Sequence, residues 1–331
     1  MEDRKKDHIN LALESQTLKD EIDQRFWYEP LLSAHPTELT PMSFLGKTFR
    51  VPLWVSSMTG GTQLAGKINS NLAKACREFG FGMGLGSCRI ILRDNTHFAD
   101  FDMREIIGDE LPLYANLGIC QMEELVVAGK TQLANDLVKK LRADGLIIHI
   151  NPLQEWFQPE GDRLNYPPLY TIQKFLEKSQ FPVIVKEVGQ GMGPKSLHEL
   201  MKLPLAAIEF ASFGGTNFAR MEMLRNPDPD ITSLLSPLTQ VGVVAEDMVN
   251  AVNSLVENSN NLLCKEIIVS GGIKSFLDGY YYIHKSKLTA VYGQASAFLK
   301  YAQADYSQLQ QFIKNQIKGL EMAYAYLQIR K

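Results

Sequence analysis

A strand-like apolar run at residues 147–155, IIHINPLQE, ends in side chains that could bind a phosphorylated ligand. Successive side chains of a strand point to opposite faces, so His149 and Asn151 are predicted to project into one cavity. Imidazole and amide groups suit phosphate or carbonyl oxygens. The alternative is a polar strand end in which His149 only caps a neighbour.

The residues after this strand add a second kind of chemistry. Pro152 cannot donate to a sheet ladder, so it ends the strand and places Gln154 and Glu155 on the following loop. A carboxylate there is a hard oxygen ligand of the kind that Mg²⁺ prefers, usually together with substrate phosphates. Four such groups so close together favour an active site over a polar strand end.

The wider chain repeats the same pattern of an apolar run followed by a helix-like segment. Such runs begin at residues 51, 80, 111, 145, 182, 206, 266 and 290. Helical spacing of apolar residues is found at 64–79, 121–143, 168–179, 195–202, 246–259 and 275–285. Alternating strands and helices predict a parallel sheet, and this number of units predicts a (β/α)8 TIM barrel. An open doubly wound sheet is the second choice, because no strict GxGxxG follows the first strand.

Three segments lie outside this repeat. Residues 1–50 are predicted to form an N-terminal arm with a helix near 17–26, and residues 51–331 the barrel. The basic run RKKDH at 4–8 indicates either a solvated tail or an arm that closes over an anionic ligand in the active site. The connection Asn217–Lys265 after the sixth strand is a candidate lid loop. A final helix is predicted at 305–329.

Glycine-rich turns after the last two strands predict a phosphate site. SGGI at 270–273 and GQAS at 293–296 occupy the position where barrels often bind phosphate through backbone N–H groups. Lys186 lies in the apolar run PVIVKEV, where an unpaired ammonium would be costly. Its expected partner is a flavin ring; an ion pair with Glu187 or Glu209 is the alternative.

The composition restricts the protein class. The chain has 331 residues, 45% hydrophobic and 21% charged, with a formal net charge of -3, which argues against binding to nucleic acid or to an anionic membrane surface. No apolar run approaches the roughly 20 residues that span a bilayer, and the N-terminus has no signal-peptide core, so we expect a cytoplasmic protein. The four cysteines show no CxxC pairing that would indicate zinc.

The order of the motifs resembles one family closely. The matching segments are RKKDH at 4–8, SSMTGG at 56–61, GSCR at 86–89, ANLG at 115–118, HINPLQE at 149–155, VKEVG at 185–189, GGTNF at 214–218 and SGGI at 270–273. This set is similar to that of the FMN-dependent type 2 isopentenyl-diphosphate isomerases and covers nearly the whole chain.

The resemblance implies a role for each matching residue. The flavin contacts it implies are Met58, Thr59, Gly60, Ser87, Asn116, Lys186, Ala211 and Thr216, with the FMN phosphate on Gly271, Gly272, Ala295 and Ser296. The implied substrate contacts are Arg4, Lys5, His8, Arg89, His149, Asn151 and Gln154, and Glu155 is the implied Mg²⁺ ligand. Because ASF at 211–213 replaces the Ser-Gly-Arg or Ser-Gly-Lys of some members, Ala211 is expected to contact FMN only through its backbone.

The implied reaction interconverts isopentenyl diphosphate and dimethylallyl diphosphate without net redox change. Reduced FMN would supply the acid/base group at N5, NADPH would only reduce the flavin, and no catalytic side chain is assigned. The family also suggests a homo-oligomer, either a tetramer or an octamer. An FMN-dependent 2-hydroxy-acid oxidase is the alternative, although such an enzyme should carry a catalytic His near a Gly-Gly-Arg motif, and this chain has GGTN and SGGIK instead.

Overall fold

A closed barrel of parallel strands forms the centre of the molecule in the computed structural model, which describes residues 2–57 and 60–330. In those ranges the order around the barrel follows the sequence, and the last strand pairs with the first. The (β/α)8 prediction is therefore confirmed. Strands that are buried on both faces read as continuous apolar runs, which is why the sequence located all of them.

The elements before the barrel are one helix and three short strands. They are α1 (Glu2–Leu11), β1 (Phe26–Tyr28), β2 (Met42–Phe44) and β3 (Lys47–Phe49). The barrel strands are β4 (Leu53–Val55), β5 (Gly82–Gly84), β6 (Leu113–Gly118), β7 (Gly145–Ile150), β8 (Val183–Glu187), β9 (Ala207–Glu209), β10 (Glu266–Ser270) and β11 (Thr289–Gln294). A last strand, β12 (Leu327–Ile329), lies outside the barrel.

Helices surround the barrel and carry the connections between its strands. They are α2 (Gln63–Phe79), α3 (Arg104–Ile107), α4 (Ile119–Val127), α5 (Gln132–Lys140), α6 (Pro152–Phe157), α7 (Pro168–Leu176), α8 (Pro194–Met201), α9 (Phe218–Arg225), α10 (Pro229–Leu235), α11 (Ala245–Asn258), α12 (Phe276–Lys285), α13 (Ser296–Ala302) and α14 (Tyr306–Tyr326). Short 3-10 helices occur at Lys19–Glu21, Arg89–Leu92, Phe98–Asp100 and Ser236–Gln240. Within the described residues, no helix is both long and apolar enough to cross a membrane.

A β-hairpin covers the N-terminal end of the barrel. Strands β2 and β3 are joined by Leu45 and Gly46, both with positive φ (51° and 71°), as a two-residue hairpin turn requires. The Leu45 N–H donates to the carboxylate of Glu266 at the start of β10, at 2.8 Å. Lys47 pairs with Asp144 just before β7, at 2.5 Å. The hairpin thus closes the end of the barrel opposite to the strand ends where a barrel site forms.

Several predicted boundaries were wrong. The helix expected at 17–26 is a short 3-10 turn followed by β1, which pairs with β12 at the far end of the chain. The helix expected at 121–143 is interrupted between α4 and α5 at Gly129, whose φ is 67°. The final helix ends at Tyr326, because residues 327–329 pair with β1.

The candidate lid after the sixth barrel strand is largely helical. Helices α9, α10 and α11 and one 3-10 helix fill the segment between β9 and β10. Asp228 caps α10 by accepting the backbone N–H groups of Asp230 and Ile231. The NPDPD signal therefore marks a helix start inside this segment, and the segment is not an irregular loop.

Candidate functional site

Two adjoining cavities open at the C-terminal ends of the barrel strands. The first, of about 420 Å³, is lined mainly by the strand ends and turns of β8 to β11, and the second, of about 220 Å³, by those of β5 to β8. They share Ser57, Lys186, Val188 and Phe218. One composite site can therefore hold two ligands side by side.

The first cavity is shaped by glycines and bordered by cations. Gly271 and Gly272 have φ values of 83° and 73°. A Cβ at Gly271 would lie 2.1 Å from the Ser212 carbonyl oxygen, so only glycine fits there. Lys274 and Lys300 also line this cavity. Close backbone approach combined with positive charge is what a phosphate group requires.

Ala211 carries backbone strain at the same cavity. Its φ of 43° lies in the left-handed region, which is unfavourable for a residue with a Cβ. Its N–H donates to Ser270 Oγ at 3.0 Å, and its carbonyl accepts the Gly191 N–H at 3.1 Å. The predicted backbone contact to FMN would therefore use the remaining lone pair of the Ala211 carbonyl.

Lys186 lies where the two cavities meet and is only 6% exposed. Its ammonium donates to the Glu187 carbonyl oxygen at 2.8 Å. Neither of the two alternative ion pairs, with Glu187 or with Glu209, forms among the described residues. The Glu187 carboxylate accepts hydrogen bonds from the N–H groups of the turn 189–191. The Glu209 carboxylate accepts a hydrogen bond from the Ser270 hydroxyl. Lys186 thus presents a buried cation to the cavities with much of its donor capacity free.

His149 is held as a neutral acceptor in the second cavity. Its Nδ1 lies 2.7 Å from Asn116 Oδ1, and the amide of Asn116 is oriented by donation to the Leu85 carbonyl at 3.0 Å. Burial, and then the charge of Lys186, lower the pKa of His149 to about 3. A neutral ring must donate from Nδ1 to an oxygen that only accepts, so Nε2 carries the lone pair. The sequence predicted a donor here, whereas the hydrogen bond to Asn116 leaves an acceptor at Nε2.

The polar groups after β7 form a linked set at the start of α6. Asn151 Nδ2 donates to Gln154 Oε1 at 3.1 Å and to Glu155 Oε1 at 2.9 Å. Asn151 Oδ1 is buried without a hydrogen-bond partner in the described residues. Gln154 and Glu155 lie in the helix that Pro152 begins, and not on a loop as predicted. The helix fixes their positions better than a loop would.

Most of the remaining predicted residues line these cavities, and some do not. Thr216, Ala295 and Ser296 line the first cavity, while Ser87 and Arg89 line the second. Gly60 lines neither cavity and lies against the ring of Phe101. Met58 and Thr59 lie outside the described residues.

The N-terminal cations are not brought to the cavities in this conformation. Arg4, Lys5 and His8 lie on α1, where every described side chain is exposed, and none of the three lines either cavity. Their predicted contact with a substrate remains a prediction.

Two site residues were missed by sequence reasoning. Gln121, 5% exposed on α4, lines the second cavity. Glu222, 5% exposed on α9, accepts hydrogen bonds from Gln154 Nε2 at 3.2 Å and from Gln158 Nε2 at 2.8 Å. Both are polar residues on the buried face of a helix, and that placement was the available signal.

The fold is a (β/α)8 barrel with two adjoining cavities at the C-terminal ends of its strands. Among solved structures, a flavocytochrome b2 mutant with bound sulfite has a TM-score of 0.61 at 14% identity, covering 95% of this chain and 77% of that one. A mandelate oxidase mutant with a monooxide FMN adduct has a TM-score of 0.57 at 13% identity, covering 93% and 88%. These similarities support the barrel fold alone.

Sequence relatives define the family. The chain is 34% identical to the isopentenyl-diphosphate delta-isomerase of Rickettsia felis over 325 residues, 97% of this chain and 91% of the relative. It is 36% identical to the enzyme of the same name from a Synechococcus strain over 282 residues, 83% and 78% of the two chains. No family model matches the sequence. The chain belongs to the isopentenyl-diphosphate delta-isomerase family.

Proposed function

We propose that the protein interconverts isopentenyl diphosphate and dimethylallyl diphosphate with the help of FMN and Mg²⁺. The observation that carries this proposal is the pair of joined cavities that share Lys186. One cavity suits a phosphorylated cofactor, and the other gathers an arginine, amides and a carboxylate suited to a diphosphate with a divalent ion.

The residues of the first cavity fit FMN. Ser56 and Ser57 line it, and the hydroxyl oxygens of both are buried without hydrogen-bond partners among the described residues. Buried polar atoms of this kind are normally satisfied, so a ligand with polar edges would complete them. Gly271 and Gly272, with Lys274 and Lys300, would hold the phosphate. When reduced, the bound flavin would supply the acid/base group for moving the allylic proton.

Lys186 would stabilise negative charge on the flavin. A buried ammonium with one backbone acceptor is a preorganised donor that needs no reorganisation when charge develops nearby. Ser57, Val188 and Phe218 line both cavities and would keep the two ligands in contact. Phe218 and Val188 are apolar, which suits the hydrocarbon part of the substrate.

Glu155 fits a role as a Mg²⁺ ligand. Each of its carboxylate oxygens accepts one hydrogen bond, from Asn151 Nδ2 and from the Asp162 N–H, and each keeps lone-pair capacity. No group of three or more potential ligands occurs in the described part of the chain. Mg²⁺ is commonly held by one or two carboxylates together with substrate phosphates, and a single Glu agrees with that mode. The ion would neutralise the diphosphate, which Arg89 at the same cavity would also contact.

The N-terminal arm would complete the substrate site. Arg4, Lys5 and His8 lie exposed on α1, and the arm would have to close over the cavities to bring them to the diphosphate. We expect that deletion of residues 1–8 leaves FMN binding near normal and abolishes turnover. Loss of bound flavin in that truncation would show that the arm has a structural role instead.

The decisive experiment is anaerobic incubation with FMN, Mg²⁺, NADPH and isopentenyl diphosphate, followed by detection of dimethylallyl diphosphate. Formation of the isomer only with reduced flavin would establish substrate, cofactor and reaction together, with NADPH as the flavin reductant. Bound flavin without isomer formation would contradict the proposal, and 2-hydroxy acids would then be tested as substrates. A tetramer or octamer is proposed for the assembly, and light scattering would test it.

A further inference from the structure

Asp162 contacts three residues that line the second cavity. It lies in the segment between α6 and α7. Its Oδ2 pairs with Arg89 Nη1 at 2.9 Å and accepts a hydrogen bond from Gln121 Nε2 at 3.2 Å. Its backbone N–H donates to Glu155 Oε2 at 3.0 Å. One residue therefore links the candidate diphosphate arginine to the candidate Mg²⁺ ligand.

Asp162 reaches these residues from outside the cavity. It is not among the described residues that line the second cavity, and it lines a separate surface groove with Cys120, Glu123 and Glu124. Its carboxylate therefore does not occupy the volume that a diphosphate would fill. The carboxylate therefore does not stand in for the diphosphate, and a diphosphate could bind without displacing it.

The segment that carries Asp162 is fixed against α6. Arg163 Nη1 donates to the Glu155 carbonyl at 2.6 Å, and the Arg163 guanidinium lies 4.8 Å from the Trp156 ring centroid. A Cβ at Gly161 would lie 1.9 Å from the same Glu155 carbonyl oxygen. Only glycine allows the chain to approach α6 this closely, and the approach brings the Asp162 N–H to Glu155.

The other side of the segment is held by a buried carboxylate. Glu123 on α4 is 5% exposed and accepts the N–H groups of Asn165 at 2.8 Å and Tyr166 at 3.1 Å. The Asp162 carboxylate is thus supported on both sides, so it can restrain a long side chain such as that of Arg89.

We propose that Asp162 is a positioning residue that orients Arg89, and through its N–H also Glu155, for a diphosphate and its metal ion. This inference rests on the proposed function. A free arginine side chain loses several rotamers when it binds a ligand, and Asp162 removes that freedom in advance. The contact uses Arg89 Nη1 and leaves other guanidinium donors available for phosphate oxygens.

The first test is Asp162→Asn in the enzyme loaded with FMN. The substitution keeps the backbone N–H to Glu155 and removes the charge that faces Arg89. We expect the KM for isopentenyl diphosphate to rise about fivefold, as for loss of a partly exposed ion pair, with kcat unchanged. The Kd for inorganic pyrophosphate, measured by calorimetry, should rise by the same factor while the affinity for FMN stays constant. Tighter pyrophosphate binding, or an unchanged Kd, would overturn the proposal.

A double-mutant cycle separates this role from general damage. In an Arg89→Ala background, Asp162→Asn should change pyrophosphate binding by less than about twofold, because the residue through which it acts is gone. Equal effects in both backgrounds would contradict positioning through Arg89. Glu124→Gln removes the same charge from the same groove and makes no contact with Arg89 in the described structure, so it should leave both constants unchanged.

Gly161→Ala tests the backbone part of the inference. It should displace the Asp162 N–H and raise the Mg²⁺ concentration for half-maximal activity, an effect that Asp162→Asn should not have. An unaltered Mg²⁺ dependence would exclude the link to Glu155. The wild type separates the two proposals: failure to form dimethylallyl diphosphate refutes the proposed function, whereas an active wild type with an equally active Asp162→Asn refutes only this inference.

Discussion

Two buried cations at opposite ends of the barrel differ in how they are satisfied. Arg104, 4% exposed, donates to the carbonyls of Arg142, Gly108 and Leu111 and pairs with Asp144 at 2.7 Å. Lys186 at the other end is similarly buried but has a single backbone acceptor among the described residues. A satisfied buried charge holds the fold together, whereas an unsatisfied one marks a place that a ligand completes.

The polar atoms near Lys186 and those near Arg104 also differ in how far they are hydrogen-bonded. Around Lys186, the hydroxyls of Ser56 and Ser57 and Asn151 Oδ1 are buried without partners in the described residues. At the opposite end, the Asp144 carboxylate is shared by Arg104, Lys47 and the Leu113 N–H. Trp54 Nε1, Asn135 Oδ1 and Glu209 Oε2 also lack partners in the described residues and line neither cavity, so unmet hydrogen-bonding capacity is present at the cavities but is not confined to them.

The largest stability effect is expected for Arg104→Met. Loss of Arg104 removes one of the three partners of the Asp144 carboxylate and takes the side-chain donor from several carbonyls, so the free energy of unfolding should fall by about 3–5 kcal/mol. Urea denaturation would measure it. Arg142→Met is a suitable control, because Arg142 is 49% exposed and its removal should cost less than about 1 kcal/mol. If Arg104→Met retained full stability and lost flavin, the division between the two ends would be wrong.

Lys186→Met should impair activity and not stability, the opposite of what is expected for Arg104→Met. We expect isomerase turnover to fall about 10²–10³-fold, because a preorganised charge at the reacting ligand is removed. The free energy of unfolding should stay the same or increase, since a poorly satisfied buried cation is lost. Product formation and urea denaturation would be measured on the same preparation. A large loss of stability would show that Lys186, like Arg104, is structural.

His149 should make stability depend on pH. Its pKa in the fold, about 3, lies below the ordinary value of 6.5, so stability is complete above pH 6.5 and is lost as the pH falls toward 3. Between these two pH values the unfolded chain binds a proton that the folded protein does not. The free energy of unfolding then changes by up to roughly 1.4 kcal/mol per pH unit. His149→Gln should reduce this slope, because the variant has no imidazole to titrate. Burial also lowers the pKa of His284 on α12. His284→Gln should therefore also reduce the slope, over the pH range just below the ordinary histidine value. An unaltered slope in His149→Gln would show that the lowered pKa responsible for the pH dependence does not belong to His149.

The smallest effect is expected for Ser57→Ala. Its hydroxyl has no partner in the described residues, so removal should change stability by less than about 0.5 kcal/mol but weaken FMN binding about fivefold. Asn71→Ala is the matched contrast, because it removes a satisfied donor to the Ala302 carbonyl and should cost about 1–3 kcal/mol. Flavin titration and thermal unfolding would measure both. Equal stability losses would remove the distinction between the two kinds of buried polar group.

The sequence located the barrel and the polar strand ends because both signals are local. A buried parallel strand is a short apolar run, and a histidine or amide at its end interrupts that run visibly. The His149 and Lys186 predictions depended on this contrast, and both side chains line the second cavity.

Features that depend on distant residues could not be predicted. The pairing of Phe26 with Ile329 joins the two ends of the chain, and nothing near residue 26 indicates it. The protonation state of His149 depends on burial and on Lys186 from a neighbouring strand. Glu222 reaches the site because α9 packs against α6. The sequence around Glu222 shows only that a polar residue lies on the buried face of a helix, and it does not show what that residue contacts.

The ribbon of β1 and β12 also sets an order of events during synthesis. Strand β1 is made early but cannot pair until residues 327–329 have left the ribosome, after every barrel strand. The segment that precedes β1 therefore gains its fixed base only once residues 327–329 are available to pair. A polypeptide that stops before residue 327 would lack the pairing partner of β1 even if its barrel had closed, so the segment before β1 would have no fixed base.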